Sequence, residues 1–299
     1  MLENVIDSAR ALGCTVYENE PMERHTTFRI GGPCRALIDV PTASALSELT
    51  TVLRGKEYIV IGNGSNLLVR DKGYSGVVLR LSGGFTEIRL HDDNTIYAGA
   101  GASLAAVCSF ALEKSLTGLE FAYGIHGSVG GAVFMNAGAY GGEMSDVVLA
   151  AEYIENGTSD IYDSSELLFG YRHSIFRRSR KIVTAAIIRL AKGDRFLIRE
   201  KMDELAARRR DKQPLQLPSA GSTFKRPEGT YASYLIDRCG LRGLNCGGAQ
   251  VSDKHCGFIV NRGGATCEDV EKLMDRIQYI VNEQTGIMLE PEVLIIGDE

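Results

Sequence analysis

The stretch EFAYGIHGSVGGAVFMNAGAYGGE, residues 120–143, decides how the rest of the sequence is interpreted. Glycine recurs in it too often for a regular element, and its apolar residues are too many for a flexible linker. Glycine lets the backbone turn with positive φ and approach another group closely. Residues 116–145 are therefore predicted to form an ordered loop wrapped on a ligand.

Composition places the chain among soluble globular proteins. Its 299 residues predict about two domains at roughly 150 residues each, and 44% apolar with 24% charged residues is ordinary for that class. A formal net charge of −5 argues against a nucleic-acid partner. Seven cysteines without a C-x-x-C pair indicate reduced thiols. The acidic N-terminal residues, and the lack of an apolar run of ~20 residues, favour a cytoplasmic protein with no membrane insertion.

Hydrophobic periodicity predicts a chain that mixes helices and strands. Pro214 and Pro218 end a charged helix and indicate a domain boundary. Helical spacing occurs at 2–12, 42–53, 103–114, 196–212, 231–239 and 267–282. Strand-like runs occur at 35–40, 57–61, 76–81, 87–90, 95–98, 181–190, 258–261 and 293–296.

Several common motifs are missing. The sequence has neither G-x-x-x-x-G-K-[ST] nor G-x-S-x-G, and the segment GAGASL at 99–104 lacks the third glycine of a dinucleotide fingerprint. The five histidines lack metal-ligand spacing, so no metal site is predicted. In contrast, IGNGSN at 61–66 follows a strand and offers consecutive backbone N–H groups, which suits either a pyrophosphate or a tight turn.

Eight sequence blocks stand out along the chain. They are TTFRIGGP at 26–33, GNGSN at 62–66, the run at 120–143, GYRHSIF at 170–176, AGSTFK at 220–225, LIDRCGLRG at 235–243, GGAQVSDKH at 247–255 and LEPEV at 289–293. In this order, and over the chain from residue 24 to the C-terminus, they closely resemble the UDP-N-acetylenolpyruvoylglucosamine reductase (MurB) family.

This resemblance implies a fold of the α+β class. It would comprise a two-lobed FAD-binding unit of the vanillyl-alcohol-oxidase (PCMH) type and a smaller α/β substrate-binding domain. The FAD-binding region is expected at 24–193, with lobes at about 1–70 and 71–212. The substrate-binding domain is expected at 214–292. The C-terminal strand, 293–299, is expected to return to the first lobe.

The resemblance also implies a non-covalent FAD, with NADPH as hydride donor and a UDP-linked enolpyruvyl sugar as substrate, in peptidoglycan precursor synthesis. It indicates no obligate protein partner. The residues expected to bind FAD are Arg29, Gly62, Asn63, Gly64, Ser65, Asn66, Gly124, Ile125, Gly127, Ser128, Gly131, Ala132, Asn136, Ala137 and Gly138. A side chain at Gly64 is expected to displace the pyrophosphate, so Gly64→Val should fold but purify without flavin.

The catalytic residues implied by the resemblance are Ser222 as proton donor, Arg172 as partner of the pyruvyl carboxylate, and Glu292. Glu292 is preferred to Glu290 because it directly precedes the terminal strand. The residues expected to contact substrate are Lys212, Lys225, Arg226, His255 and Tyr171.

The chain departs from the family pattern at three points. His126 replaces a usual proline, and Arg226 replaces a usual asparagine, which allows a guanidinium–phosphate contact. The compact stretch between Phe176 and Lys212 resembles the family's shorter subtype, which lacks a substrate-covering loop and its tyrosine. Phosphate contacts must then come from elsewhere.

Two other functions stay open. One is a different flavin oxidoreductase of the same fold, acting on an alcohol or hydroxy acid and tethering flavin through His126. The other is a binding or regulatory module that has lost turnover. The blocks around Ser222, Arg172 and Glu292 argue against both.

Overall fold

The computed structural model describes residues 2–299 as a mixture of helices and strands, so the predicted α+β class is confirmed. The α-helices of these residues are α1 (Glu3–Ala11), α2 (Ala43–Val52), α3 (Leu104–Glu113), α4 (Val129–Met135), α5 (Arg195–Lys212), α6 (Ala232–Arg238) and α7 (Cys267–Thr285).

Strands account for much of the remaining described chain. They are β1 (Thr15–Pro21), β2 (Pro33–Val40), β3 (Tyr58–Ile61), β4 (Leu67–Val69), β5 (Tyr74–Leu81), β6 (Ile88–Leu90), β7 (Thr95–Gly99), β8 (Leu116–Thr117), β9 (Gly138–Ala139), β10 (Gly142–Glu143), β11 (Val148–Glu155), β12 (Thr158–Asp163), β13 (Ile182–Arg189), β14 (Ala191–Lys192), β15 (Asn245–Cys246), β16 (Ala249–Val251), β17 (Ile259–Asn261) and β18 (Leu294–Ile296).

The described chain divides into two compact units. Unit 1 comprises residues 2–18, Ala36–Asn63 and Gly76–Arg208, and unit 2 comprises Asn19–Arg35, Gly64–Ser75 and Arg209–Glu299. The boundaries predicted for the lobes and the substrate-binding domain stay predictions.

Unit 1 is built around two sheets. A five-stranded antiparallel sheet has the order β12-β11-β13-β7-β6, and its central strand β13 is buried along almost its whole length. A four-stranded sheet, most of which belongs to this unit, has the order β1-β2-β5-β3. Strands β3 and β5 run parallel, so the chain that leaves β3 starts from the carboxyl end of a parallel pair. Ligand sites commonly lie at such ends.

Unit 2 packs its core against helix α7. The buried positions of α7 recur at helical spacing, at Cys267, Val270, Leu273, Met274, Ile277 and Val281. Thr266 and Asp269 form a capping box at its start, and Gly286 ends it in the left-handed conformation. The terminal strand β18 pairs in parallel with β4, with Leu294 opposite Leu67. The last strand thus joins a segment more than two hundred residues earlier in the chain.

The expectation of a loop without regular elements over residues 116–145 is wrong, because helix α4 lies within it. Ser128 caps the helix by accepting a hydrogen bond from the Gly131 amide at 3.3 Å. A Cβ at Gly130 would lie 2.9 Å from the Cβ of Ala100, so glycine allows close packing here. Tertiary contact has overridden the low helical propensity of the two glycines.

Among residues 2–299, no helix has the length and apolar content that crossing a bilayer requires. The seven cysteines, all within the described residues, are free thiols.

Candidate functional site

The glycine loop at 62–66 packs tightly against the protein. A Cβ at Gly62 would lie 2.1 Å from the Ser128 hydroxyl oxygen, which brings two predicted flavin-binding segments of unit 1 together. A Cβ at Gly64, where φ is +62°, would lie 2.0 Å from the carbonyl oxygen of His25 in unit 2. The expectation that Gly64→Val folds and merely loses flavin is therefore wrong: its side chain would meet the protein's own backbone before any ligand.

In unit 2, the loop is held by its carbonyl groups and by one side chain. The Thr27 amide donates to the Gly64 carbonyl at 3.2 Å, and the Leu294 amide donates to the Asn66 carbonyl at 2.9 Å. The Asn66 side-chain amide donates to the Glu292 carbonyl at 3.2 Å. These bonds fix the predicted phosphate loop directly beside the backbone of the predicted catalytic carboxylate.

Ser222 and Glu292 are brought together by backbone pairing. The Glu292 amide donates to the Thr223 carbonyl at 2.8 Å, and the Lys225 amide donates to the Glu290 carbonyl at 2.8 Å. The Ser222 side chain is exposed, whereas Thr223 is buried and accepts a hydrogen bond from the Ile259 amide. The segment therefore presents Ser222 to solvent from a fixed backbone.

The two glutamates of LEPEV differ in their surroundings. The Glu290 carboxylate pairs with the Lys225 ammonium at 2.9 Å, and the Glu290 side chain is 72% exposed. Glu292 is half-buried and lies between the Ser222 segment and Asn66. The catalytic role of Glu292 stays a prediction.

Arg172 lies in a tight turn of unit 1. Gly170 and His173 exchange two backbone hydrogen bonds of 3.0 Å, and Arg172 adopts a φ of +53° between them. Non-glycine residues with positive φ are uncommon and often mark functional sites. The Arg172 guanidinium lies 3.4 Å from the Gly138 carbonyl oxygen and 5.2 Å from the Tyr171 ring centroid.

Asn136 supports this turn. Its side chain is fully buried, donates to the Gly170 carbonyl at 3.0 Å and accepts from the Ser145 amide at 2.9 Å. The Ser174 hydroxyl also binds the Phe134 carbonyl at 2.8 Å. The structure thus gives the Asn136 side chain a structural role that the sequence reasoning missed.

The remaining residues of the glycine-rich run surround α4 in unit 1. Gly127 accepts a hydrogen bond from the Leu104 amide at 3.0 Å, and His126 is exposed one residue earlier. Gly124, Ile125, Gly131, Ala132 and Ala137 lie in or beside this helix and its entry turn. In unit 2, Ser65 is half-buried and Arg29 is exposed.

The His255 ring of unit 2 is partly buried and within the electrostatic reach of two positive charges. Burial lowers the pKa of the His255 ring, and the positive charges of Arg242 and Lys212 lower it further, against a backbone hydrogen bond that raises it. The ring is held by Phe258, whose centroid lies 5.0 Å away. The neutral form of His255 is therefore favoured.

Lowering the pH through 6.5, the ordinary value for histidine, is expected to lower the free energy of unfolding partly through His255. Because the folded-state pKa is depressed, the unfolded chain binds the proton first, so this stability is present above the ordinary pKa and is lost below it. His255→Gln, which takes no proton, should flatten the profile. Urea unfolding of the wild type and of this variant across the pH range measures the difference, and an unchanged slope in His255→Gln would refute the assignment.

A family model described as FAD binding domain matches residues 36–163, and one described as UDP-N-acetylenolpyruvoylglucosamine reductase, C-terminal domain, matches residues 213–296. A protein named UDP-N-acetylenolpyruvoylglucosamine reductase from Caldanaerobacter subterraneus is 48% identical over 95% of this chain and 94% of its own. The chain belongs to the UDP-N-acetylenolpyruvoylglucosamine reductase family.

Further comparisons agree with this membership. A reductase of the same name from Agathobacter rectalis is 48% identical over 99% of this chain and 98% of its own. The crystal structure of the reductase from Thermus caldophilus superposes with a TM-score of 0.81 at 38% identity, covering 94% of this chain and 98% of that one. The predicted family and the predicted pair of an FAD-binding domain and a family C-terminal domain are confirmed. The findings support the flavin reductase function and not the oxidase alternative.

Proposed function

We propose that this chain reduces the enolpyruvyl group of UDP-N-acetylenolpyruvoylglucosamine to give UDP-N-acetylmuramate, with bound FAD as cofactor and NADPH as hydride donor. The observation that carries the proposal is the hydrogen bonding of Glu292 to both Thr223 and Asn66, in a chain of this family. It joins the segment of the proposed proton donor to the proposed phosphate loop.

The residues present fit FAD. The loop that leaves the parallel strand β3 is packed through glycines on one side, and its carbonyl groups bind the protein. Backbone amide groups are what a pyrophosphate requires. We propose that the cofactor is held by the loop of residues 62–66, by Arg29 and by the segment around α4, with Asn136 contributing through its backbone.

Bound flavin supplies the hydride, which no protein side chain can provide. The chain's own residues handle the proton and the charge. Ser222 Oγ donates the proton to the carbon next to the carboxylate, and Glu292 assists it by polarising the enol from the other side. Arg172 pairs with the carboxylate, where negative charge accumulates during reduction.

Phosphate and sugar contacts are proposed for Lys212, Lys225, His255 and Tyr171, together with Arg226. The Arg226 guanidinium lies 4.2 Å from the Tyr231 ring centroid, and its Nε donates to the Thr230 carbonyl at 3.3 Å. A guanidinium supported on an aromatic face suits recognition of a phosphate. We expect the enzyme to act in the cytoplasm, in peptidoglycan precursor synthesis.

The purified protein is expected to be yellow and to release free FAD on acid or heat denaturation. The reason is that none of the residues proposed to bind FAD is a histidine or a cysteine, the side chains that tether a flavin ring. The absorbance of the supernatant after precipitation measures this release. Colour retained in the pellet would contradict non-covalent binding and point to a tether at the exposed His126. NADPH oxidation that depends on UDP-N-acetylenolpyruvoylglucosamine tests the proposed reaction itself.

A further inference from the structure

Thr27 makes two hydrogen bonds to segments that are far apart in the sequence. Its amide donates to the Gly64 carbonyl at 3.2 Å, and its hydroxyl donates to the Ser219 carbonyl at 2.7 Å, across 192 residues. The distance from the hydroxyl to the Ser219 carbonyl oxygen is typical of a well-formed O–H···O hydrogen bond. Thr27 therefore connects the proposed phosphate loop with the segment that leads to Ser222.

Other hydrogen bonds anchor the two ends of this segment. The Asn261 amide donates to the Pro218 carbonyl at 2.9 Å, and the Thr223 amide donates to the Gly257 carbonyl at 2.8 Å. Thr223 also accepts from the amides of Glu292 and Ile259. Between the two ends, Gly221 adopts a φ of +77°, and Ser222 is exposed. The Thr27 hydroxyl thus holds the Ser219 carbonyl, two residues before this turn.

We propose that Thr27 is a positioning residue for the reaction: its hydroxyl sets where Ser222 lies relative to the loop of residues 64–66. The inference rests on the proposed function, because it gives Ser222 the role of proton donor. Thr27 itself touches neither substrate nor cofactor in this account. Its effect passes through the backbone of Ser219.

The two bonds of Thr27 are separable by substitution. Thr27→Val keeps the branched side-chain shape and the amide bond to Gly64, and it replaces the hydroxyl with a methyl group that cannot donate to Ser219. Flavin binding and reduction by NADPH should therefore be preserved, while reoxidation by the enolpyruvyl sugar should slow by about 10-fold or more, since a small misplacement of a reacting group is costly. Thr27→Ser, which retains the hydroxyl, should restore the rate.

The adjacent residue provides the matched control. The Thr26 hydroxyl is also bonded to a backbone carbonyl, that of Ile30 at 3.1 Å, but this bond stays within its own turn. Thr26→Val loses a hydrogen bond of the same type without touching Ser219. Its reoxidation rate should match that of the wild type.

Anaerobic stopped-flow absorbance measures reduction and reoxidation separately in all four proteins. Slow reoxidation confined to Thr27→Val and rescued in Thr27→Ser supports the inference. Normal reoxidation in Thr27→Val, or an equal loss of FAD and of both steps, overturns it. Should Thr27→Val not fold, Thr27→Cys, with its weaker donor, carries the same expectation. If the wild type is not reoxidised by the sugar, the proposed function fails, and this inference with it.

Discussion

Ser222→Ala is expected to be reduced by NADPH at close to the normal rate and to be almost inert toward UDP-N-acetylenolpyruvoylglucosamine. Hydride transfer from NADPH needs no protein acid, whereas saturation of the double bond needs a proton at the carbon next to the carboxylate. We expect reoxidation to fall by the ~10² to 10⁴ typical of the loss of one general acid. Stopped-flow flavin absorbance reports both steps.

The structure makes this variant a clean test. Ser222 is exposed, while the bonds that hold its segment involve the backbone of Thr223 and its buried hydroxyl. Removal of the Ser222 hydroxyl should therefore leave folding intact. Ser219→Ala, which removes a hydroxyl from the same segment and keeps the carbonyl that accepts from Thr27, is the control. Normal turnover of Ser222→Ala, or loss of its reduction by NADPH, would show that the proton comes from another group.

Arg172→Gly is expected to fold at least as stably as the wild type and to lose most of its activity. The residue has a φ of +53°, a conformation that costs a non-glycine residue about 1 kcal/mol, so glycine relieves strain. Removal of the guanidinium takes away the partner of the developing charge, which should lower the reoxidation rate by roughly 10² to 10³. Thermal unfolding and stopped-flow absorbance measure the two effects on one sample.

Two further variants separate charge from geometry. Arg172→Lys keeps a positive charge but cannot form the bidentate pair, so it should recover only part of the rate. Arg178→Ala removes an exposed cation nearby and should change neither quantity. A glycine variant that is fully active would remove Arg172 from the reaction, and one that unfolds would assign it to the turn instead.

Elements with strong periodicity could be predicted from the sequence, and elements decided by distant contacts could not. Helix α7 repeats its buried residues at helical spacing and ends at Gly286, so its start was predicted correctly and its end fell within three residues. Helix α4 was missed, because its two glycines obscure a helix that is stabilised by packing on Ala100 and by the Ser128 cap.

The candidate site shows the same division. The residues of the site could be named from sequence blocks, but their connections join segments that lie 65 to 226 residues apart, as in the pairs Lys225–Glu290 and Asn66–Glu292. A side chain at Gly64 was expected to displace a bound phosphate. In the structure, a side chain at this position would first meet the His25 carbonyl oxygen. Thr27 lies in the block TTFRIGGP at 26–33. The residues around it in the sequence give no indication that its hydroxyl binds the Ser219 carbonyl, because the two residues lie 192 positions apart.

We propose that one bound FAD receives hydride from NADPH and that the enolpyruvyl sugar then removes this hydride. The most direct test is an anaerobic single turnover of the wild-type protein, in which NADPH bleaches the flavin and UDP-N-acetylenolpyruvoylglucosamine is then added. We predict that the absorbance returns in full and that UDP-N-acetylmuramate forms in equal amount to the FAD. Flavin that stays reduced in the presence of this sugar, or that is reoxidised without forming the product, would contradict the account.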